Sequence, residues 1–479
     1  MRFLTLAHRW MGVVLCLFFA CWFISGAILI YHPFPSLSKL DRLARSSNIE
    51  PSQINVLPKE AVQLEPGNEL DRLRLIDLMG HPIYVLHGFD NNIRSIDATS
   101  GKFIDFIQRN VAKKIAEKFT EKSVLKVEGP IDYDQWIVPN RYDPYRPFYR
   151  VSLEDNNDTV LYVSARTGEV LQKTEYSERV WNYFGAVTHW IYPTTLRKNW
   201  VLWDQVVWWL SLSGVITTLV GLLLGAIRWR RFNDGQNKYN GSPFNGWLRA
   251  HHILGLIAGI FVLTWIFSGW LSMDHGRLFS KPNPNPDQIK KFRSLSISQA
   301  VENISLESLK YLDAFNEGEF FAMGGNTFVM IRNAKEQSLF ELSQSNVLSP
   351  VKFKKPELIK AVKNAWPSFK IQATESLGES DIYGKLREGS LPSNTLRIIL
   401  TDPQQTWVHV DMEAGQIVSV MDRSRRQYRW LFNGLHSLDF PGLASHRPAW
   451  DVLIFLLLSL GFVFCITSVV IGAKRLFGN

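Results

Sequence analysis

Four stretches of the chain, 11–31, 206–227, 253–273 and 452–473, contain no Asp, Glu, Lys or Arg. Each is long enough, at 1.5 Å of rise per residue, to cross a hydrocarbon layer about 30 Å thick as one helix. A backbone in lipid has no water to bond to, so a lone span must satisfy its own N–H and C=O groups as a helix. Four transmembrane helices are therefore expected. The chain's 46% hydrophobic content and near-zero mean hydropathy resemble those of a soluble protein, because they average these runs with long polar loops. The first run is too long for the apolar part of a signal peptide and lacks a clear A-x-A site after it. It also recurs inside the chain, so it reads as a retained helix.

The recurrence is specific. AHRWMGVVLCLFFACWFISGAILIYH, beginning at Ala7, is echoed by the stretch that ends WIFSGWLSMDH at His275. His8 matches His251, Gly12 matches Gly255, Trp22 matches Trp265, Ser25-Gly26 matches Ser268-Gly269 and His32 matches His275, at one offset (251 − 8 = 243). Farther on, His189 matches His436, and Trp203-Asp204 matches Trp450-Asp451 (451 − 204 = 247). A repeat of this length built from whole units reads as an internal duplication, two halves of one bundle, each made of helix, large loop and helix.

Lys and Arg near the helix ends set the orientation. Arg2 and Arg9 precede the first run, Arg228, Arg230, Arg231, Lys238 and Arg249 crowd the link between the second and third, and Lys474 and Arg475 follow the fourth. The positive-inside rule puts both termini and the link in the cytoplasm and the two large loops outside, in the periplasm if the membrane is a bacterial inner membrane. The expected division is helix 1 in 1–31, an extracytoplasmic domain in 32–199, helix 2 in 200–227, a cytoplasmic link in 228–249, helix 3 in 250–274, a second extracytoplasmic domain in 275–449, and helix 4 with its tail in 450–479. Cys16, Cys21 and Cys465 all fall in membrane runs and read as small buried hydrophobes. The net charge of +9 is partly the positive-inside signature. No basic cluster is interleaved with aromatics in the manner of a nucleic-acid surface, and no dinucleotide fingerprint, P-loop, G-x-S-x-G or H-E-x-x-H is present.

Both loops read as α+β. In the first, LRLIDLMG, PIYVLHG and IRSIDATSGKFI form a meander, VAKKIAEKF is helical, and FYRVSLEDNNDTVLYVSARTGEVL forms a hairpin. In the second, SISQAVENI and PELIKAVKNAW are helices, while FFAMGG, TFVMIRN and LRIILTDPQQTWVHVDMEAGQIVSV supply strands. Gly101, Gly168 and Gly415 each sit in a tight turn where positive φ is needed, and Asn346 is expected to take the same backbone state in a fourth, degenerate copy.

Four histidines stand out because they repeat at membrane boundaries: His8 with His251 and His189 with His436. A pseudo-two-fold axis between the halves would set the members of each pair face to face, the arrangement in which two imidazoles bind a b-type haem axially. A lone histidine near a helix end is more commonly an interfacial hydrogen-bonded residue; four of them, paired by duplication and close to Gly12, Gly255 and Gly185, whose lack of a side chain leaves room for a flat macrocycle, shift the balance toward two haems. Phe432 occupies the position matching Gly185. His252, about 100° around the helix from His251, faces another helix or a haem propionate. His32 and His275, about 36 Å beyond His8 and His251 if the helices are continuous, are alternative outer ligands. No carboxylate or cysteine accompanies these histidines as another kind of metal site would require. Asp204 and Asp451 are expected to cap helices 2 and 4, and Trp22 and Trp265 to be core or lipid-facing aromatics.

YVSARTGEVL and WVHVDMEAGQIV resemble the strand-turn-strand of PepSY modules. Together with HRWMG, GAVTHWIYPTTLR, AHHILGL, FSGWLSMD and LHSLDFPGL they resemble the PepSY-associated transmembrane family over nearly the whole chain. That family includes di-haem ferric-siderophore reductases of the bacterial inner membrane. The resemblance implies an oxidoreductase with two haem b groups at the four histidines, a ferric siderophore or other Fe(III) chelate as acceptor, and a quinol or flavoprotein as donor; no catalytic side chain is singled out. The alternative, from a different class, is a haem-free membrane protein whose PepSY modules hold a peptide or restrain a protease. Arg423, Arg425, Arg426 and Arg429 run up to His436 as candidate contacts for an anionic chelate or for haem propionates. Two separate domains would leave a cleft between them above the outer histidines, walled by these arginines and by DPYRPFY at 143–149.

Overall fold

In a computed structural model, residues 1–478 are described apart from 66, 68, 234–241, 277 and 387–388; Lys238 of the cationic link lies outside the described residues. Four long apolar helices run through Arg2–Tyr31, Trp200–Asn233, Gly246–Ser272 and Ala449–Phe477. The first stops just before Pro33, whose ring disfavours helical geometry in the residue it follows. The helices close into a bundle in which the first packs on the second and fourth, and the third on the second and fourth. Leu15, Phe19, Phe23, Val262, Trp265, Ile454 and Leu458 fill its core. Val14, Leu17, Leu219, Ile260 and Leu456 point outward, where a membrane supplies lipid. Close approach depends on small residues: Gly214 lies against Phe19 and Ile266, and Gly461 against the ring of Phe23.

Outside the bundle the meander forms as expected: β1 (Leu70–Leu78), β2 (His81–Gly88), β3 (Ile93–Asp97) and β4 (Phe103–Ile104). Then come β5 (Val124–Ile131), β6 (Phe148–Leu153), β7 (Val160–Ser164) and β8 (Val170–Thr174), a four-stranded antiparallel sheet backed by the helix Arg109–Thr120. The second loop contributes β9 (Glu317–Met323), β10 (Asn326–Arg332), β11 (Gln337–Leu342) and β12 (Leu348–Pro350). Next are β13 (Ile371–Ser376), a two-residue hairpin β14 (Lys385–Leu386) and β15 (Gly389–Ser390), then β16 (Thr395–Leu400), β17 (Trp407–Asp411) and β18 (Gln416–Met421). β13-β16-β17-β18 form a second four-stranded sheet, covered by the helix Lys355–Ala365. Gly101, Gly168, Gly415 and Asn346 all adopt positive φ, at 74°, 71°, 61° and 59°.

The two loops are joined by a shared sheet rather than standing as separate domains. β1 pairs antiparallel with β9, Arg74 opposite Glu319 and Leu73 opposite Phe320, and the order β12-β11-β10-β9-β1-β2-β3-β4 is continuous. One face of this sheet is apolar, with Leu73, Leu75, Tyr84, Phe320 and Val329 under short helices from both loops. The other face carries a buried ionic cluster set among apolar side chains, Ile76, Ile83 and Val85 on one side and Phe321, Phe328 and Met330 on the other. Arg74, 1% exposed, meets Glu169 at 2.9 Å and Glu317 at 3.2 Å. Arg332 meets Glu319 at 2.7 Å and Glu317 at 3.1 Å, Arg72 meets Glu319 at 2.6 Å, and Lys39 and Arg42 reach in from the segment after the first membrane helix. Glu169 and Gln416, each one residue past a turn glycine, insert from the two smaller sheets; Gln416 Nε2 donates to Glu319 at 3.2 Å. A Cβ on Gly168 would overlap Leu78, and one on Gly415 would overlap Phe353, so both turns are held against their neighbours. The 143–149 segment is likewise internal to the first loop: Arg146 bonds Asp143 and the carbonyl of Ile137.

Burial alone would raise the Glu169 and Glu319 carboxyls, but the surrounding guanidinium groups outweigh it and hold each at about 2. Folded-state values below the unfolded 4.5 mean that this stabilisation is present above about pH 4.5 and is lost as pH falls toward 2. Arg74→Ala leaves two buried carboxylates without their central partner and is expected to cost about 3–5 kcal/mol. Thermal unfolding of the full-length protein checks this; a variant as stable as the parent would show that the seam does not hold the loops together.

Candidate functional site

The four helices and the two segments that descend into them bring the sequence-paired histidines together in space. His8 on the first helix faces His251 on the third, with ring centres 6.3 Å apart and ring planes at 38°. At the other end of the bundle His189 faces His436, with ring centres 6.1 Å apart and planes at 61°. Along the first helix His8 and Ser25, the residue that touches His189, are 17 positions apart (25 − 8 = 17), about 25 Å of rise. Between the pairs the bundle is filled by aromatic side chains: Phe19 stacks on Trp22 at 6.0 Å, and Phe23 and Phe261 meet Trp265 edge-on at 5.5 and 5.7 Å.

The hydrogen bonds of the Nδ1 atoms fix the tautomer of each neutral ring. His8 Nδ1 lies 3.0 Å from the carbonyl oxygen of Thr217, which can only accept, so Nδ1 carries the proton. His251 Nδ1 lies 3.1 Å from Thr467 Oγ1 and 3.2 Å from Ser468 Oγ; the Thr467 hydroxyl already donates to the carbonyl of Phe464 at 2.6 Å, so toward the ring it can only accept, which favours the proton on Nδ1. Ser25 and Ser268 repeat this arrangement at the outer pair. Ser25 Oγ donates to the Trp22 carbonyl and is 3.2 Å from His189 Nδ1; Ser268 Oγ donates to the Trp265 carbonyl and is 3.1 Å from His436 Nδ1. All four imidazoles thus hold a proton on Nδ1 and a lone pair on Nε2, and among the described residues no hydrogen bond engages any of these Nε2 atoms. Metal-binding histidines are oriented by such bonds on the other ring nitrogen.

Local backbone places the outer pair. A wide π turn, Tyr183–Val187, precedes His189, and another, Arg429–Gly434, precedes His436; such turns often mark functional positions. Trp203 Nε1 donates to the carbonyl of Trp190 at 3.1 Å, and Trp450 Nε1 to that of Ser437 at 3.2 Å, clamping the residue after each histidine. The glycines that lie against the imidazole rings are different from those singled out as room for a macrocycle. A Cβ on Gly12 would meet nothing within 4 Å, Gly255 faces Phe464, and Gly185 faces Ile28. Gly221, Gly26 and Gly269 lie against His8, His189 and His436, where an added Cβ would press on the ring. For Gly26 and Gly269 the signal in the sequence was the repeated Ser-Gly, in which the serine sets the tautomer and the glycine admits the ring; Gly221 follows a valine and carries no such signal.

The alternative ligands are engaged elsewhere. His252 is buried with Nε2 3.0 Å from the Gly225 carbonyl and Nδ1 2.9 Å from Ser242 Oγ, so both nitrogens have protein partners. His32 stacks on Trp181 at 4.7 Å and 7°, whereas His275 packs on Trp208 and pairs with Asp204 at 3.3 Å; they do not face each other. Asp204 is not a cap, since its helix starts four residues earlier at Trp200; Asp451 lies in the first turn of its helix and is paired with Arg447. Of the arginine run, Arg429 is 4% exposed and bonded to Asp439 at 3.1 Å, a contact inside the protein. Arg426 is held by the carbonyls of Gln404, Gln405 and Met421 and lies over the Trp407 ring. Arg425 lies over Tyr428, and Arg423 is exposed.

The two facing pairs suit haem by their donor set. Among the described residues no group of three or more His, Cys, Asp or Glu could hold an ion, so a metal here would have only two protein ligands and must bring its other donors with it, as a macrocycle does. Two metal–nitrogen bonds of roughly 2 Å, with about 1 Å from each nitrogen to its ring centre, put the ring centres about 6 Å apart, which matches both pairs. Ring nitrogen-15 NMR of the metal-free protein in detergent is expected to show Nδ1–H for His8, His189, His251 and His436 and Nε2–H for His252. Nε2–H at any of the first four would contradict the tautomer assignment.

The chain shows no match among curated proteins. A family model described as the PepSY-associated TM region matches residues 5–475. With its four apolar helices and antiparallel sheets, the chain is a multi-pass membrane protein that belongs to the PepSY-associated TM region family.

Proposed function

We propose that the protein is a di-haem b-type oxidoreductase of the bacterial inner membrane, built by duplication of one helix–loop–helix unit, that passes electrons across the membrane to an extracytoplasmic Fe(III) chelate such as a ferric siderophore. The observation that carries this reading is the pair of facing imidazoles at each end of the bundle, every one with its proton on Nδ1. His8 and His251 would hold one haem and His189 and His436 the other, each group supplying a one-electron Fe(III)/Fe(II) couple when bound. The chain's own residues orient the ligands through Thr217, Thr467, Ser25 and Ser268. Its aromatic core, with Phe19, Trp22, Phe23 and Trp265, keeps water out of the space between the pairs.

The positive-inside distribution of Lys and Arg puts His8 and His251 toward the cytoplasm, where a quinol or flavoprotein would be the reductant, and the large loops in the periplasm. Each Fe(III) chelate takes up one electron and becomes Fe(II), which an oxygen-rich chelator holds less tightly, so a two-electron donor serves two acceptors. The purified protein is expected to show reduced b-type Soret and α bands with two haems per chain. His8→Ala or His251→Ala should remove one equivalent, and His189→Ala or His436→Ala the other, as counted by pyridine haemochrome. A colourless protein, or single variants that keep both equivalents, would overturn the assignment in favour of a haem-free PepSY protein that binds a peptide or a protease.

A further inference from the structure

The segments leading out from the outer pair differ between the two halves of the chain. Beyond His436, the Phe432 ring stacks at 5.2 Å and 18°, and Tyr428 lies 5.3 Å from Phe432. The Arg425 guanidinium sits 4.2 Å over Tyr428, with Phe279 edge-on to the same ring at 5.1 Å. Asp422 caps this short helix, accepting from the Arg425 N–H at 2.8 Å and from Ser424 and Ser280. Among the described residues no carboxylate lies within 4 Å of the Arg423 or Arg425 guanidinium, whereas Arg426 and Arg429 are already held by protein groups.

At the positions 247 residues earlier the chemistry is absent. Gly185 stands for Phe432, Trp181 for Tyr428, Glu178 for Arg425 and Tyr176 for Arg423. Trp181 is covered by His32 at 4.7 Å, and the Glu178 carboxylate accepts from the Glu175 N–H at 2.8 Å to cap its own helix. Among the described residues, the second-half shoulder therefore joins positive charge without a carboxylate partner to a row of rings that ends on an outer histidine.

We propose that Arg423, Arg425 and Tyr428 form the docking site for an anionic, carboxylate-rich metal chelate, and that docking is one-sided, on the shoulder beside His436. This rests on the acceptor chemistry of the proposed function but concerns binding alone. The exposed Arg423 and the half-buried Arg425 attract such a ligand over about 8–10 Å at ordinary ionic strength, and the attraction fades as salt rises.

The test uses the full-length protein in detergent and redox-inert gallium(III)–EDTA, a monoanion, with neutral gallium(III) acetylacetonate as control, both followed by equilibrium dialysis. R423E/R425E should weaken binding of the anion by about tenfold or more, and R423Q/R425Q by less, with the neutral complex, the thermal unfolding and the haem content unchanged. Y176E, on the opposite shoulder, should leave binding as it is. Unchanged binding in both arginine variants overturns the inference, as does a parent protein that fails to bind the anion. Loss of haem with unchanged gallium–EDTA binding also overturns it, and makes the arginines partners of cofactor carboxylates. Arginine-dependent binding to a protein that contains no haem would uphold the docking site while refuting the proposed function.

Discussion

The Nδ1–H hydrogen bonds of the four paired histidines are the interactions on which the rest of the structure turns. An imidazole inside a bundle has no water to bond to, so its polar edge must find an acceptor on a neighbouring element, and leaving it without one would cost about 1–3 kcal/mol. Here the acceptors come from different helices. His8 of the first helix reaches Thr217 of the second, and His251 of the third reaches Thr467 and Ser468 of the fourth. Ser25 and Ser268, on the first and third helices, receive the histidines that descend from the loops. The same packing that closes the bundle therefore sets two pairs of imidazoles at about equal ring-centre separations.

The loops outside the membrane serve this arrangement by fixing where the descending segments enter. Their shared eight-stranded sheet makes one body of two chain segments, and its ionic face gathers groups from every part of that body. Lys39 and Arg42 follow the first membrane helix, Arg72 and Arg74 lie on β1, Glu317 and Glu319 on β9, and Glu169 and Gln416 on the turns of the smaller sheets. Such a buried network contributes little net stability over an apolar seam, but it penalises any register that leaves a charge unpaired. β8 and β18 then lead directly into the helical segments that carry His189 and His436.

Much of this was legible in the sequence, and the parts that were not share a cause. Membrane helices announce themselves by missing charge, the strands by alternation, and the turns at Gly101, Gly168, Gly415 and Asn346 by a repeated pattern that only positive φ satisfies. The histidine pairs were visible through the repeat, at an offset of 243 for His8 and His251 and 247 for His189 and His436. The shared sheet was hidden because β1 and β9 are far apart in the chain and their charged residues look like a solvated face, although they neutralise each other in the interior. Arg429 misled in the same way, since a charge in sequence carries no sign of its partner Asp439. Asp204 looked like a cap because it stands just before the charge-free run that begins at Val206, although it lies inside the helix that starts at Trp200.

Low-temperature electron paramagnetic resonance of the oxidised protein tests the central claim most directly, because it reports the axial ligands themselves. Two bis-imidazole centres with ring planes at 38° and 61° should give two distinguishable low-spin ferric signals, one lost with His8 or His251 and the other with His189 or His436. High-spin signals alone, a single low-spin species, or no haem signal would contradict the account.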